Sequence, residues 1–358
     1  MSTSPRPAAP SALRRALRAA AWTAVVASFP VWFAAFLVVP FLPVEAATRV
    51  ALGAACLAAG ELLFWVGGFY LGAEVIAKFR APKVRTGKSF AGRRVAVFGA
   101  TGGLGGAIAR AVRREGGELL LVGRDAEKLA ALAAELGAQA HPVDLADAAQ
   151  IESVAQRLGT VHHVVSAAGV DVRKPFAQHD VADIDAQLQV DLRAPMLLAR
   201  ALVGRVAPGG TLALVGGFGD GRLALPYYAA DVAARAGLAG FCEALNRELA
   251  IEGVDVRLAY VCPAPADTAA ERPFADLWAR MGTKLVPPER VADVVLQALL
   301  ARRPRTVMGW GTRLLSWLEG AWPALGALIV RCAFGPALKA RFGTAPDRPK
   351  LPDTFAAS

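Results

Sequence analysis

The chain has 358 residues, 55% hydrophobic and 20% charged, with a net charge of +10. So apolar a composition is unusual for a purely soluble domain and points to membrane segments. Residues 1–94 hold twelve Lys or Arg against three Glu, so nearly all the excess charge flanks apolar stretches, which excludes a nucleic-acid partner. The four cysteines form no CxxC pair and the four histidines have no ligand spacing, so no metal site is expected.

Residues 21–44 carry no charge and are long enough to cross a bilayer, for which about 20 residues suffice. A second apolar stretch runs from about Val50 to Ala77 and contains Glu61. A carboxylate at a helix centre costs about 3 kcal/mol on insertion, and the surrounding Val, Leu and Phe residues offset it at about 0.3–0.6 kcal/mol each. The run is longer than a signal-peptide core and a second span follows at once, so an uncleaved hairpin is expected. Arg6, Arg14, Arg15 and Arg18 precede it, and Lys78, Arg80, Lys83, Arg85 and Lys88 follow it. Basic flanks on both sides put both termini in the cytosol of a bacterial inner-membrane protein.

Gly53, Gly60 and Gly67 recur every seven residues on one face of the second span, a groove for the first span or for another copy. Glu61 lies beside that face, either as a proton or ligand contact or as a packed carboxyl. The stretches SFPVWFAAFLVVPFLPV, GELLFWVGG and AEVIAKFR resemble the bacterial two-helix transporter suffix domain. That likeness implies a location more than an activity.

From Arg94 the pattern changes. RVAVFG is a short apolar run, then come Gly99, Ala100, Thr101, Gly102, Gly103, Leu104 and Gly105, then the amphipathic AIARAVRREG. Glycines between a strand and a helix permit a tight turn and close approach of a pyrophosphate to the helix N-terminus. Further apolar runs end near Gly123, Leu145, Gly169, Gly217 and Cys262, and a last one spans 305–309. Runs of this kind alternating with helices predict an α/β fold with a doubly wound parallel sheet, the Rossmann type.

These motifs together resemble the short-chain dehydrogenase/reductase family over about residues 92–310. The likeness assigns the dinucleotide to the Gly99–Gly105 turn, to Asp144 and Leu145 after the third strand, to Ala167, Ala168 and Gly169 after the fourth, and to Pro263 after the sixth. The second strand ends at Gly123 and is followed by Arg124, whose guanidinium suits a 2′-phosphate, so NADP(H) is expected over NAD(H). The resemblance also makes Tyr228 the general acid/base and a cofactor contact. It puts Asp191 at the place of the family's Asn, Val232 at that of its Lys, and Gly217 or Gly216 at that of its Ser.

An unassisted tyrosine titrates near 10, and much of the roughly 10²–10⁴-fold from acid/base catalysis needs a tuned pKa. Asp191 would stabilise a neutral Tyr228. Arg235 shares a helix face with Tyr228 but lies two turns away, while Asp220 and Asp231 read as loop or helix-surface acids. Tyr227 is the neighbouring phenol.

The C-terminal segment carries Trp310, Trp317 and Trp322, and its apolar piece between Trp322 and Arg331 is too short to span. It reads as an interfacial amphipathic helix, a lid on the cleft or a dimer surface. Three regions result: a two-helix transmembrane hairpin (1–85), a dinucleotide-binding domain (86–310) and a helical tail (311–358). The expected function is an NADP(H)-dependent oxidoreductase at the membrane, acting on a small lipophilic alcohol or ketone. The alternatives are an inactive NADP(H)-binding sensor or scaffold, or a transporter accessory. The family likeness also implies a homodimer, paired through the helices that hold Tyr228 and Asp191.

Overall fold

A computed structural model describes residues 12–79, 89–219 and 221–343. The chain divides into two compact units, Met1–Lys83 and Val84–Ser358.

In the first unit, α1 (Ala12–Leu37) and α2 (Ala46–Phe79) form a helical hairpin through a 3-10 turn at Val39–Phe41. The glycine face of α2 is turned to α1. A Cβ on Gly60 would lie 2.2 Å from the Trp32 indole, and one on Gly67 would lie 2.6 Å from the Ala21 carbonyl oxygen. Small residues thus let the helices approach, and Trp32 packs on Phe64 with ring centroids 5.6 Å apart. Phe33, Phe36, Leu62, Trp65 and Val66 stay exposed on the outside. Glu61 is exposed and accepts a hydrogen bond from the Trp65 indole nitrogen at 2.7 Å. Arg6 and the basic run from Arg80 to Lys88 lie outside the described residues.

The second unit alternates strands and helices as the apolar runs predict. In chain order it comprises β1 (Arg94–Phe98), α3 (Gly103–Arg114), β2 (Glu118–Gly123), α4 (Ala126–Leu136), β3 (Gln139–Pro142), α5 (Ala148–Leu158) and β4 (Val161–Ser166). Then follow α6 (Val181–Leu188), α7 (Ala194–Leu202), β5 (Val206–Val215), α8 (Ala229–Ile251), β6 (Val256–Cys262) and α9 (Ala275–Arg280). It closes with α10 (Pro288–Ala301), β7 (Arg305–Val307), α11 (Trp310–Ala321), α12 (Pro323–Ile329) and α13 (Gly335–Phe342).

All seven strands are parallel, in the order β3-β2-β1-β4-β5-β6-β7. Successive β1 residues serve opposite cores: Val95 and Val97 pack in one cluster, Ala96 and Phe98 in the other. That two-sided burial is why these strands read as unbroken apolar runs and not as alternating ones. The chain reverses direction across the sheet between β1 and β4, which leaves a crevice at their carboxyl ends.

The helix starts differ in a way that bears on function. Asp125 and Asp147 cap α4 and α5 by accepting from backbone N–H groups. At α3 the cap is Gly102, with no side-chain hydrogen bond, so its first-turn N–H groups stay available to an anion.

Near the far edge of the sheet, β7 reaches only Tyr260–Cys262 of β6. Leu258 lies beyond it, and Asn246 of α8 takes the place of a strand: its amide donates to the Leu258 carbonyl and accepts from the Leu258 N–H, both at 2.9 Å. This clamp fixes the register of α8 on the sheet. We expect Asn246→Ala to lower the unfolding free energy by about 2–3 kcal/mol in urea titration, because two buried backbone groups lose their partner.

The C-terminal helices belong to the same unit as the sheet. Among the described residues, three helices are long and apolar enough to cross a membrane: Ala20–Phe41, Ala46–Gly67 and Pro323–Phe342. The third corrects the expectation of a short piece ending at Arg331. A π turn at Val330–Phe334 carries the helix on through Arg331 into α13. Its Val330, Leu338 and Phe342 pack against the domain in a cluster with Tyr228, Leu277 and Trp278, whereas Trp310, Trp317 and Trp322 are exposed.

Candidate active site at the carboxyl ends of the strands

A cleft of about 490 Å³ opens where the sheet order reverses. One end is made by the glycine turn. Gly99 has φ +76°, and a Cβ there would lie 2.5 Å from the Ala168 nitrogen, while one on Gly105 would lie 2.1 Å from the Gly99 carbonyl oxygen. Bare backbone is therefore required for the turn to seat α3 against the end of β4. Thr101, Gly102, Gly103 and Leu104 line the cleft from this side, with Ala167, Ala168, Gly169 and Pro263 opposite. A Cβ on Gly103 would meet the Thr268 side chain at 2.8 Å, so the segment after β6 closes directly over the turn. Arg124, Asp144 and Leu145 follow β2 and β3, beyond the lining of this cleft; Arg124 is exposed and Leu145 is buried.

The other end gathers Tyr228, Asp191, Arg235, Arg173 and Glu271. Tyr228 precedes the first residue of α8, after Tyr227 in the left-handed region at φ +69°. A bulky residue there is strained, and the Tyr227 carbonyl accepts from the Lys174 N–H at 3.2 Å. The Tyr228 ring is buried and its hydroxyl makes no hydrogen bond among the described residues. Burial pushes this phenol up to about 12; the cations Arg173 and Arg235 pull the other way. The Arg173 guanidinium lies 5.3 Å from the Tyr228 ring centroid and 4.4 Å from that of Phe274.

Arg173 is almost wholly buried and paired with Asp171 and Glu271. Glu271 also accepts from the Trp278 indole at 2.7 Å. A loop after β4 is thus pinned to the segment after β6. Sequence reasoning missed Arg173 and Glu271, which lie far apart in the chain and match no motif.

Among the described residues the hydrogen bonds of Asp191 run to the loop after β4 and to its own helix, and none runs to Tyr228. Asp191 sits on a π turn, Gln189–Arg193, a distortion often found at functional sites. Its carboxylate accepts from the Val170 N–H at 3.0 Å and from Gln187, four residues earlier on the same helix face. Gln187 is fully buried and also donates to Asp231 on α8, at 3.3 Å. Asp231, expected on a helix surface, is fully buried and bridged at 2.7 Å by Arg235. The i, i+4 spacing was the one available signal for both pairs. Arg235, expected to be two turns from the site, instead reaches back along α8 into the cleft. Asp220 lies outside the described residues.

Matching across residues 93–276 is the short chain dehydrogenase family. The chain belongs to this family. Nodulation protein G of Rhizobium sp. (strain N33) is 32% identical over 188 residues, covering 49% of this chain and 72% of that protein. The rat 3-oxoacyl-[acyl-carrier-protein] reductase is 31% identical over 170 residues, or 46% of this chain and 72% of that one. The structure of BdcA in complex with NADPH superposes with a TM-score of 0.57 at 24% identity, over 61% of this chain and 93% of that chain. A Burkholderia cenocepacia J2315 short chain dehydrogenase in complex with NADP gives 0.58, also at 24% identity, over 67% and 97%. The two solved structures share the fold.

Burial, and the neighbouring Asp231 after it, raise Asp191 to about 7, with the Val170 N–H, Arg235 and Gln187 acting against that rise. A carboxyl raised in the folded state favours folding while it is protonated. That advantage erodes as pH rises past the unfolded value and is gone above the folded one. We expect Asp191→Asn to flatten the loss of Tm between about pH 5 and about pH 7.5, measured by thermal melts across buffers.

Proposed function

We propose that the chain is a membrane-anchored, NADP(H)-dependent oxidoreductase that acts on a lipophilic alcohol or ketone. The observation that carries this reading is that one cleft holds the glycine turn at one end and the Tyr228 phenol at the other. The uncapped start of α3 suits a pyrophosphate, and the close fit of Gly99, Gly103 and Gly105 leaves the backbone bare where it must approach. For the 2′-phosphate, Arg124 is exposed at the end of β2, while Asp125 beside it is taken up by capping α4 and by Lys128. The solved relatives that hold NADPH and NADP agree with this choice.

A bound nicotinamide supplies the hydride in reduction or accepts it in oxidation. Tyr228 supplies the proton to a carbonyl oxygen. Held near 12, it keeps that proton at neutral pH, which suits the reductive direction. Phe218, Leu225 and Trp278 make an apolar wall for the substrate. The exposed apolar flanks of the N-terminal hairpin favour anchoring in a bilayer, here the bacterial inner membrane with both termini cytosolic. A homodimer paired through α8 and the region of Asp191 is part of the same reading.

Detergent-purified protein is expected to bind NADPH, seen as a change in tryptophan fluorescence, and to oxidise it with hydrophobic ketones. Tyr228→Phe should lower kcat by about 10²–10⁴-fold with NADPH binding intact. Arg124→Glu should weaken NADPH binding by about tenfold or more and leave NADH binding little changed, since a charge-assisted phosphate contact is replaced by repulsion. Binding without turnover would favour the sensor or scaffold role instead, and absence of binding would reject both.

A further inference from the structure

The position that the family resemblance assigns to a serine is occupied here by the side chain of Arg235. An ideal Cβ on Gly217 would lie 1.7 Å from Cζ of Arg235 and about 2 Å from both terminal nitrogens, 1.9 and 2.1 Å. Gly216 offers no alternative, since its Cβ would meet the Tyr260 hydroxyl at 2.5 Å. The volume of the missing hydroxyl group is filled by a guanidinium.

That guanidinium is held in place. Asp231, fully buried, accepts from it at 2.7 Å, and Gln187 ties Asp231 to Asp191 and to the loop after β4. A guanidinium has five N–H donors in a rigid fork, so pairing one edge with Asp231 leaves donors for the cleft that Arg235 lines. A cation oriented in a largely desolvated site stabilises developing negative charge far better than one in water.

We propose that Arg235 is a catalytic residue that donates hydrogen bonds to the substrate oxygen, in the place a serine would occupy. This rests on the oxidoreductase reading. Were a bound nicotinamide to give hydride to the carbonyl carbon, the C=O π pair would move onto oxygen, and Arg235 would stabilise that oxygen by hydrogen bonding without giving up its own proton. Tyr228 then transfers its phenolic proton to the oxygen, giving the alcohol, and recovers one from solvent. The Asp191–Gln187–Asp231 chain positions the arginine and takes no part in bond changes.

The test uses the full chain in detergent, with NADPH and a hydrophobic ketone that the wild type reduces. Arg235→Ala is expected to lower kcat by about 10²–10³-fold while NADPH affinity stays within about twofold. Because it strands a buried carboxylate, Arg235→Met with Asp231→Asn is made as a second, neutral removal of the pair. Methylguanidinium in the buffer should restore part of the activity of Arg235→Ala, and adding Gly217→Ser to that variant should recover about tenfold or more. A folded Arg235→Met/Asp231→Asn protein with kcat within about threefold of wild type would overturn the proposal. So would a loss that neither the guanidinium nor the added serine reverses, which would mark a structural role. A wild type that binds NADPH yet reduces no ketone would sink the oxidoreductase reading and this inference together, whereas active wild type with unaffected variants would sink this inference alone.

Discussion

Arg235 and Asp231 face the same problem from two sides. A carboxylate without access to water is strongly disfavoured unless a cation and hydrogen bonds compensate it, and Asp231 has its cation only one helical turn along α8. The arginine, once committed to that partner, must project over the end of β5, and it fits only because residue 217 has no Cβ. Gln187 and Asp191 complete the chain by passing hydrogen bonds from α8 to the π turn and on to the loop after β4. The polar wall formed by Arg235 in the cleft follows from that ion pair.

The rest of the cleft divides its work along the sheet edge. At one end, bare backbone and an uncapped helix start create a surface for negative charge without any charged side chain. At the other, the C-terminal helices fold back so that Phe342 lies against Tyr227, Tyr228 and Phe274, with ring centroids 5.6, 6.2 and 6.1 Å apart. The buried Arg173–Glu271 pair ties the segment after β6 to the loop after β4, and breaking such a pair typically costs about 3–5 kcal/mol. The roof of the cleft is therefore fastened by electrostatics and lined by apolar side chains.

The N-terminal hairpin is built on a different plan. Its glycine face packs on α1 and its large apolar residues point outward, the reverse of a water-soluble helix pair. The tail helix Pro323–Phe342 is also long and apolar enough to cross a membrane, but it spends Val330, Leu338 and Phe342 on the core of its own unit.

Much of the fold was legible in the chain. Two-sided burial writes continuous apolar runs, glycines are obligatory where a strand turns into a phosphate-facing helix, and both signals are local. The strands and the glycine turn follow from them, whereas Ala167 to Gly169 and Tyr228 were assigned by the family resemblance; Thr101 to Leu104, Ala167 to Gly169 and Tyr228 line one cleft. What the sequence could not announce were contacts between segments distant in the chain: Arg173 with Glu271, Gln187 with Asp231, Phe342 with Tyr228. The meaning of Gly217 was hidden for the same reason. Read alone it is a lost serine; in the folded protein it is the gap through which Arg235 enters. Sequence periodicity determines which residues share a face of one element. Only packing decides which face meets which, because a side chain's burial and charge environment are set by neighbours that local pattern does not encode.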